Sequence, residues 1–214
     1  ILLAVVVKFT IREPIRGAME FGERKVINKP PFIESLKSLL KIPAWWAMCF
    51  GTAFGAFVSY SKSAFHTKFL VTLDPSFDFK TLVIILGVIN GITYAGGAFF
   101  GARLADKWGK KDIRAYGWLP AISISICLPI GIMAWWAPSV EINLIFTSLF
   151  LLFYGTYLGP CFAIAQTLAP IHMRAMSTAL FFFVINMIGL GLGPTISGWL
   201  IDYFKTTSTN IDSM

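Results

Sequence analysis

The chain has 214 residues, 56% of them hydrophobic and only 14% charged, with a net charge of +7 and a mean hydropathy of +0.71. Soluble domains carry about 25% charged residues, so this composition excludes an ordinary water-soluble domain and points to an integral membrane protein. The positive excess does not point to nucleic acid, because the basic residues cluster beside apolar runs, where they hold loops against anionic lipid headgroups.

Residues 1–9, "ILLAVVVKF", are too short to cross a bilayer core of roughly 30 Å, which takes about 20 residues of helix. Without a basic n-region or a small-residue cleavage site they are no signal peptide, and they read as the end of a helix that begins earlier. Residues 10–42 are polar, with Arg12, Arg16, Arg24, Lys25, Lys29, Lys37 and Lys41 against Glu13, Glu20, Glu23 and Glu34, and read as a cytoplasmic linker. Within it, "PFIESLKSLLKIP" sets Phe32, Ile33, Leu36, Leu39 and Leu40 opposite Glu34, Lys37 and Lys41. That is the pattern of an amphipathic helix on the membrane surface. The alternative is an extension of the first spanning helix, and Pro43 favours a break.

Five apolar segments then qualify as spans: 43–66, 81–101, 115–137, 140–163 and 176–200. Residues 202–214 form a polar tail with no further spanning helix. The linker, the loop at 101–114 and the short loop holding Arg174 collect the basic residues on one side, which places that side in the cytoplasm. The opposite side holds Asp74, Asp78, Lys80, Pro138 and Glu141.

Ionisable groups are nearly absent from the middle of the spans. The deepest polar groups are Asn90, Tyr154, Tyr157 and Asn186, and Tyr94 lies close by. In hydrocarbon such groups turn toward the bundle or a wet cavity, either as contacts for a solute or as glue between helices. Lys62 and His66, four residues apart on one helix face near Ser59 and Tyr60, either line a cavity that holds an anion or a proton, or, for Lys62 and Lys68, snorkel to the outer interface. The candidates for a substrate cavity are therefore Tyr60, Lys62, His66, Asn90, Tyr94, Tyr154 and Asn186.

Glycines recur four apart at 51/55, 87/91, 97/101, 155/159 and 189/193, a spacing that permits close helix approach. Pro120, Pro129, Pro160 and Pro194 allow helices to bend. Cys49, Cys127 and Cys161 lie singly in apolar runs and read as small core residues. Catalytic signatures such as HExxH, GxSxG or a glycine-rich phosphate loop are missing, and His66 and His172 fall near opposite faces, so neither an enzyme, a cofactor nor a metal site is expected.

The most specific stretch is "GARLADKWGKKDIR", residues 101–114. It resembles the signature loop of the major facilitator superfamily, Gly-x-Leu-Ala-Asp-Arg-x-Gly-Arg-Lys, with Leu104, Ala105, Asp106, Gly109 and Lys111 in place. Lys107 and Lys110 stand where the pattern has Arg, and the first glycine falls one residue early, at Gly101. "IREPIRG" (residues 11–17) and the run from Leu168 to Phe204, with Gly189, Gly191, Gly193 and Pro194, resemble the spinster-like branch of that superfamily.

The resemblance implies an all-α membrane protein, part of a major facilitator bundle with about five full spans. Residues 1–9 would end helix six, 10–42 form the central linker, and 43–201 supply helices seven to eleven of the C-terminal half, with the N-terminal half and helix twelve lying elsewhere. It implies a secondary transporter that exposes a site between its halves alternately to each side. The expected cargo is an amphiphilic organic solute such as a lysolipid or sphingoid phosphate. The expected partners are membrane lipids, the other half of the transporter and a coupling proton or ion, in a plasma or bacterial inner membrane. A drug or organic-anion transporter and a non-transporting scaffold or receptor subunit are the alternatives.

In the family the motif acid caps a helix of the neighbouring bundle and pairs with an arginine, so the resemblance casts Asp106 as a latch. The gating set is Gly101, Leu104, Asp106, Gly109, Lys110, Lys111 and Arg114, with Gly109 expected to permit a tight turn. The basic residues hold the loop at the membrane face.

Overall fold

The computed structural model describes residues 10, 32–112, 114–170 and 173–212. The apolar start, the first part of the linker with its Arg-Glu-Pro run, and His172 lie outside the described residues. The described helices are α1 (Phe32–Leu40), α2 (Pro43–Leu73), α3 (Phe79–Ile89), α4 (Ala95–Gly109), α5 (Ala115–Trp135), α6 (Val140–Thr167), α7 (Arg174–Asn186) and α8 (Gly193–Asp212). A π-helical segment, Asn90–Tyr94, fuses α3 to α4, and a second, Met187–Leu192, fuses α7 to α8.

Four of the resulting rods are long and apolar enough to cross a membrane: Phe79–Gly109, Ala115–Trp135, Val140–Thr167 and Arg174–Thr207. The expected fifth span, α2, has 31 residues, or about 46 Å at 1.5 Å per residue, which is ample length. It is less apolar than the others because its second half carries Ser59, Lys62, Ser63, His66 and Thr67 at helical spacings of three and four, one polar stripe along a single face. It also runs past the expected end at 66 to Leu73, where Asp74 leaves the helical region.

Pro43 sits in the first turn of α2, where its missing N–H costs nothing, and the break after α1 falls where the proline requires it. α1 is tied to α2 through the buried Leu39 and a bond from the Trp46 indole to the Leu40 carbonyl (3.0 Å). At this end Trp45 is fully buried. Its indole donates to Ser177 Oγ (2.8 Å), which donates in turn to the Ala165 carbonyl (2.7 Å), so one chain of bonds joins α2, α7 and α6. At the opposite end the loop before α3 is closed by two acids. Asp74 accepts from the Ser76 amide and hydroxyl, Asp78 from those of Thr81, and these bonds hold both carboxyls below their ordinary range. A depressed carboxyl stabilises the loop above its unfolded pKa, so this contribution is present at neutral pH and is lost as pH falls through the folded value.

α6 is the axial helix of the bundle, in contact with α2, α4, α5, α7 and the first π segment. In lipid such contacts rest on close packing and interhelical hydrogen bonds, because apolar side chains gain little by leaving hydrocarbon for protein. The glycines show where packing is tightest. A Cβ on Gly97 would strike the Leu152 carbonyl, one on Gly101 the Thr156 backbone, and one on Gly155 the Tyr94 carbonyl at 2.5 Å. On the other flank Gly189 lies 2.8 Å from Ala56 by the same measure and Gly193 2.9 Å from the Phe57 carbonyl. Gly51, Gly87, Gly91 and Gly159 meet nothing, and Gly191 nothing closer than 3.8 Å, so only part of the expected small-residue pairing serves helix contact.

The tail also differs from expectation. Residues 202–212 continue α8 without a break; no Pro or Gly interrupts them, and Thr206 and Thr207 bond the carbonyls of Asp202 and Tyr203.

Gly97→Ala and Gly155→Ala should each destabilise the folded protein by about 1–3 kcal/mol in thermal unfolding in detergent, the usual cost of overpacking. Gly159→Ala, with open space around it, should be neutral or gain up to about 1 kcal/mol from helix propensity.

Candidate functional site

Three residues on two helices, α4 and α5, meet at the signature loop. The loop is shorter than its motif suggests, because α4 carries Gly101, Leu104 and Asp106 in helix and ends at Gly109. Lys107 in its last turn and Lys110 at its cap lie where a helix C-terminus favours cations. Asp106 is exposed and accepts from the hydroxyl of Tyr116, in the first turn of α5 (3.1 Å). Among the described residues it has no arginine partner; Arg103 lies over the Phe99 ring at 4.2 Å. Arg114 is the residue before α5, its amide bonded to Asp112 Oδ1 (2.9 Å), and Lys111 is exposed.

Gly109 keeps ordinary helical backbone geometry, so the expectation of a turn that only glycine can make does not hold. Its reason is steric: a Cβ there would run into the Tyr116 ring. Asp106, Gly109 and Tyr116 thus form one unit, in which the ring lies on the glycine and its hydroxyl holds the acid. Gly101 is likewise fixed by its contact with Thr156, while Ala102, in the motif's glycine position, is exposed and free to carry a methyl.

The second site is a hollow in the bundle. A cavity of about 300 Å3 is lined by Tyr60, Asn90, Tyr94, Tyr154 and Asn186, together with apolar groups such as Phe162 and Phe182. A second, of about 390 Å3, is lined by Lys62, His66, Ser63, Thr67, Thr147 and Phe150, and shares Ser59, Tyr60, Asn90 and Leu151 with the first. All seven sequence-derived cavity candidates therefore border one or the other of these two adjoining cavities, which together form the hollow.

Its aromatic wall comes from α6. Tyr154 and Tyr157, three apart on one face, pack at 4.7 Å between ring centroids, and the Tyr157 hydroxyl donates to that of Tyr154 (3.0 Å). Phe150 stacks on Tyr154 at 5.7 Å, and Tyr94 approaches it at 6.2 Å. Asn90 opens the first π segment and Asn186 immediately precedes the second. Each donates its amide to the carbonyl four residues back, Leu86 (3.1 Å) and Phe182 (2.8 Å). Among the described residues no hydrogen bond is made to either side-chain oxygen, and both asparagines border the hollow. π segments within α-helices favour functional positions because the widened turn redirects side chains.

The polar wall is built differently. Lys62 is 9% exposed and His66 6%. Lys62 does not snorkel: its ammonium donates to Thr147 Oγ1 (3.3 Å) and lies 4.2 Å over the Phe150 ring, inward from the helix end. Asn143 Nδ2 donates to the Ala134 carbonyl (2.6 Å), one of the last carbonyls of α5, and this fixes which end of the amide is which. The oxygen Oδ1 then faces His66 Nε2 (2.8 Å) and Thr147 Oγ1 (3.3 Å). The His66 proton therefore lies on Nε2, and Nδ1 is the nitrogen left to take a proton. Asn143, Thr147 and Tyr116 carry no motif in the sequence. A polar residue one turn into α6 and four residues before Thr147 was the only available signal.

Fold and hollow define an α-helical membrane protein with an open cavity walled by both polar and apolar groups. The chain belongs to the Major Facilitator Superfamily, whose family model matches residues 1–194. It is 27% identical over 165 residues to an MFS-type efflux pump of Mycolicibacterium smegmatis (strain ATCC 700084 / mc(2)155), covering 77% of this chain and 38% of the pump. Its fold matches a bacterial homolog of the human lysosomal transporter Spinster in the inward-facing, unoccupied conformation, with a TM-score of 0.79 and 25% identity over 99% of this chain and 44% of the other. The inward-facing, occupied conformation matches in fold at a TM-score of 0.70, with 23% identity over 98% and 43%. The chain is of spinster-like type and spans less than half the length of these relatives.

Asn143→Leu should cost about 1–3 kcal/mol in thermal unfolding, because it strands the His66 N–H and the Ala134 carbonyl away from water. Ser148→Ala, which loses only a bond to the Leu144 carbonyl of its own helix, should stay within about 0.5 kcal/mol of native.

Proposed function

We propose that this chain is the C-terminal half of a spinster-like secondary transporter of the cell membrane that moves an amphiphilic organic solute by alternating access. The observation that carries the reading is the hollow: an aromatic and apolar part joined to a part lined by hydroxyls, Lys62 and His66, inside an otherwise apolar bundle. A solute with one apolar and one polar end fits both parts at once. Asn90 and Asn186 lie in mid-helix yet are exposed in this chain, as residues facing a second half across a central site would be.

The basic loops lie on the cytoplasmic side in this reading, and the Asp106–Tyr116–Gly109 unit is the part of the latch contributed by this half. A coupling proton or ion and the other half of the transporter are its partners. A second reading, export of a drug-like solute, is favoured by the likeness to an MFS-type efflux pump. Single-chain lipid substrates such as lysolipids or sphingoid phosphates remain the first choice, because the aromatic part of the hollow suits an acyl chain.

The test is flux into proteoliposomes holding the protein from its full reading frame, with a lysolipid, a sugar and a cationic drug as cargoes, with and without a pH gradient. Lysolipid flux without sugar flux is expected. Joint replacement of Asn90, Tyr94, Tyr154 and Asn186 by Ala should abolish it, and unchanged flux would refute the cavity assignment. Asp106→Asn and Tyr116→Phe should slow flux at least about tenfold, a barrier change near 1.4 kcal/mol, while resting-state affinity is kept. Loss of affinity with normal cycling would refute the latch.

A further inference from the structure

Lys62 is the feature this reading leaves unexplained. An ammonium taken out of water costs several kcal/mol unless an opposite charge or a full set of acceptors receives it. Lys62 has three N–H donors, and the described structure gives it one hydroxyl, Thr147, and one aromatic face, Phe150. No described carboxylate bonds it: Asp74 and Asp78 are engaged in the outer loop, Asp106 and Asp112 in the signature loop. The α2 stripe places further donors along the same face, namely the hydroxyls of Ser63 and Thr67 and, one turn past Lys62, the imidazole of His66, while Ser59 is engaged with Tyr154.

We propose that this stripe is an oxyanion-binding subsite, with Lys62 as its fixed charge and the ligand a phosphate or carboxylate group, either free or at the head of an amphiphile. His66 serves as the second donor through Nδ1 once it is protonated, its other nitrogen being held by Asn143. Asn143 is thus a positioning residue: it aims the imidazole without touching the anion. The Phe150 ring lies under the ammonium in the wall of the same cavity, which shares Ser59, Tyr60, Asn90 and Leu151 with the aromatic one, so an anion placed on Lys62 has the aromatic cavity as its neighbour. The proposal rests on the hollow being open to solute, and not on transport itself.

The experiment measures binding to the full-length protein in nanodiscs with three probes: dodecyl phosphate, inorganic phosphate and the neutral dodecanol. Dodecyl phosphate should bind at least about tenfold tighter than dodecanol. Lys62→Met should remove that preference, Lys62→Arg should keep it, and His66→Gln, which can still bond Asn143, should reduce it about threefold. Inorganic phosphate binding with the same Lys62 dependence and equal affinity would identify the ligand as a free ion. Tighter dodecyl phosphate would identify it as a headgroup, and either result supports the site. Equal binding of dodecyl phosphate and dodecanol by the native protein, or a preference that survives Lys62→Met, would overturn it. In that event, loss of dodecanol binding in Tyr154→Ala would show that the hollow still takes amphiphiles, separating failure of the anion site from failure of the cavity reading.

Discussion

The bond from the Asn143 amide to the Ala134 carbonyl is the fixed point of the polar interior. In a bundle surrounded by hydrocarbon every donor and acceptor has to be met from within, and this bond meets a helix-end carbonyl while deciding the direction of the bonds beyond it. Because the nitrogen of Asn143 faces α5, its oxygen faces α2, so His66 must donate and Thr147 is left to receive Lys62. A line of four side chains on two helices thereby acquires one consistent set of roles. It also holds α2 against α6 at the wall of the hollow, so packing and site chemistry share the same residues.

Close approach of backbones sets the opposite wall. Gly97, Gly101 and Gly155 bring α4 within backbone contact of α6, and Gly189 and Gly193 do the same for the α7–α8 rod against α2. Tyr154 and Tyr157 of α6, with Asn90 and Asn186, line the hollow. On the proposed transport reading, glycine seams let rods rock without losing side-chain interlock, and the Gly109–Tyr116 contact ties the end of α4 to the start of α5 so that they move together.

Much of this was legible in the sequence. Helix positions follow from apolar length, the break at Pro43 from proline chemistry, the family from Leu104, Asp106 and Gly109, and the hollow's lining from the rule that mid-membrane polar groups face inward. What was not legible depends on partners distant in the chain. The burial of Lys62 needs Thr147 and Phe150 on another helix, and the position alone could not separate it from the snorkelling lysine that Lys68, exposed one and a half turns on, resembles. Gly109 looked like a turn glycine because the ring that excludes its Cβ lies beyond the loop. The glycine pairs looked alike, yet Gly87, Gly91 and Gly159 face open space while Gly97 and Gly155 do not. The reach of α4 into the loop was missed because charged residues end an apolar run long before they end a helix.

The central claim is that the hollow is a water-accessible passage site rather than a packing defect. With Cys49, Cys127 and Cys161 replaced in the full-length protein, single cysteines at Leu151 and Asn186 can be probed with a membrane-impermeant maleimide applied to each side in turn. The account predicts labelling from either side as substrate and gradient are varied, with no labelling at Ile92, a large apolar side chain exposed on the bundle surface and absent from the hollow's lining. Cysteines at Leu151 and Asn186 that stay unlabelled from both sides, or are reached from one side under every condition, would contradict it.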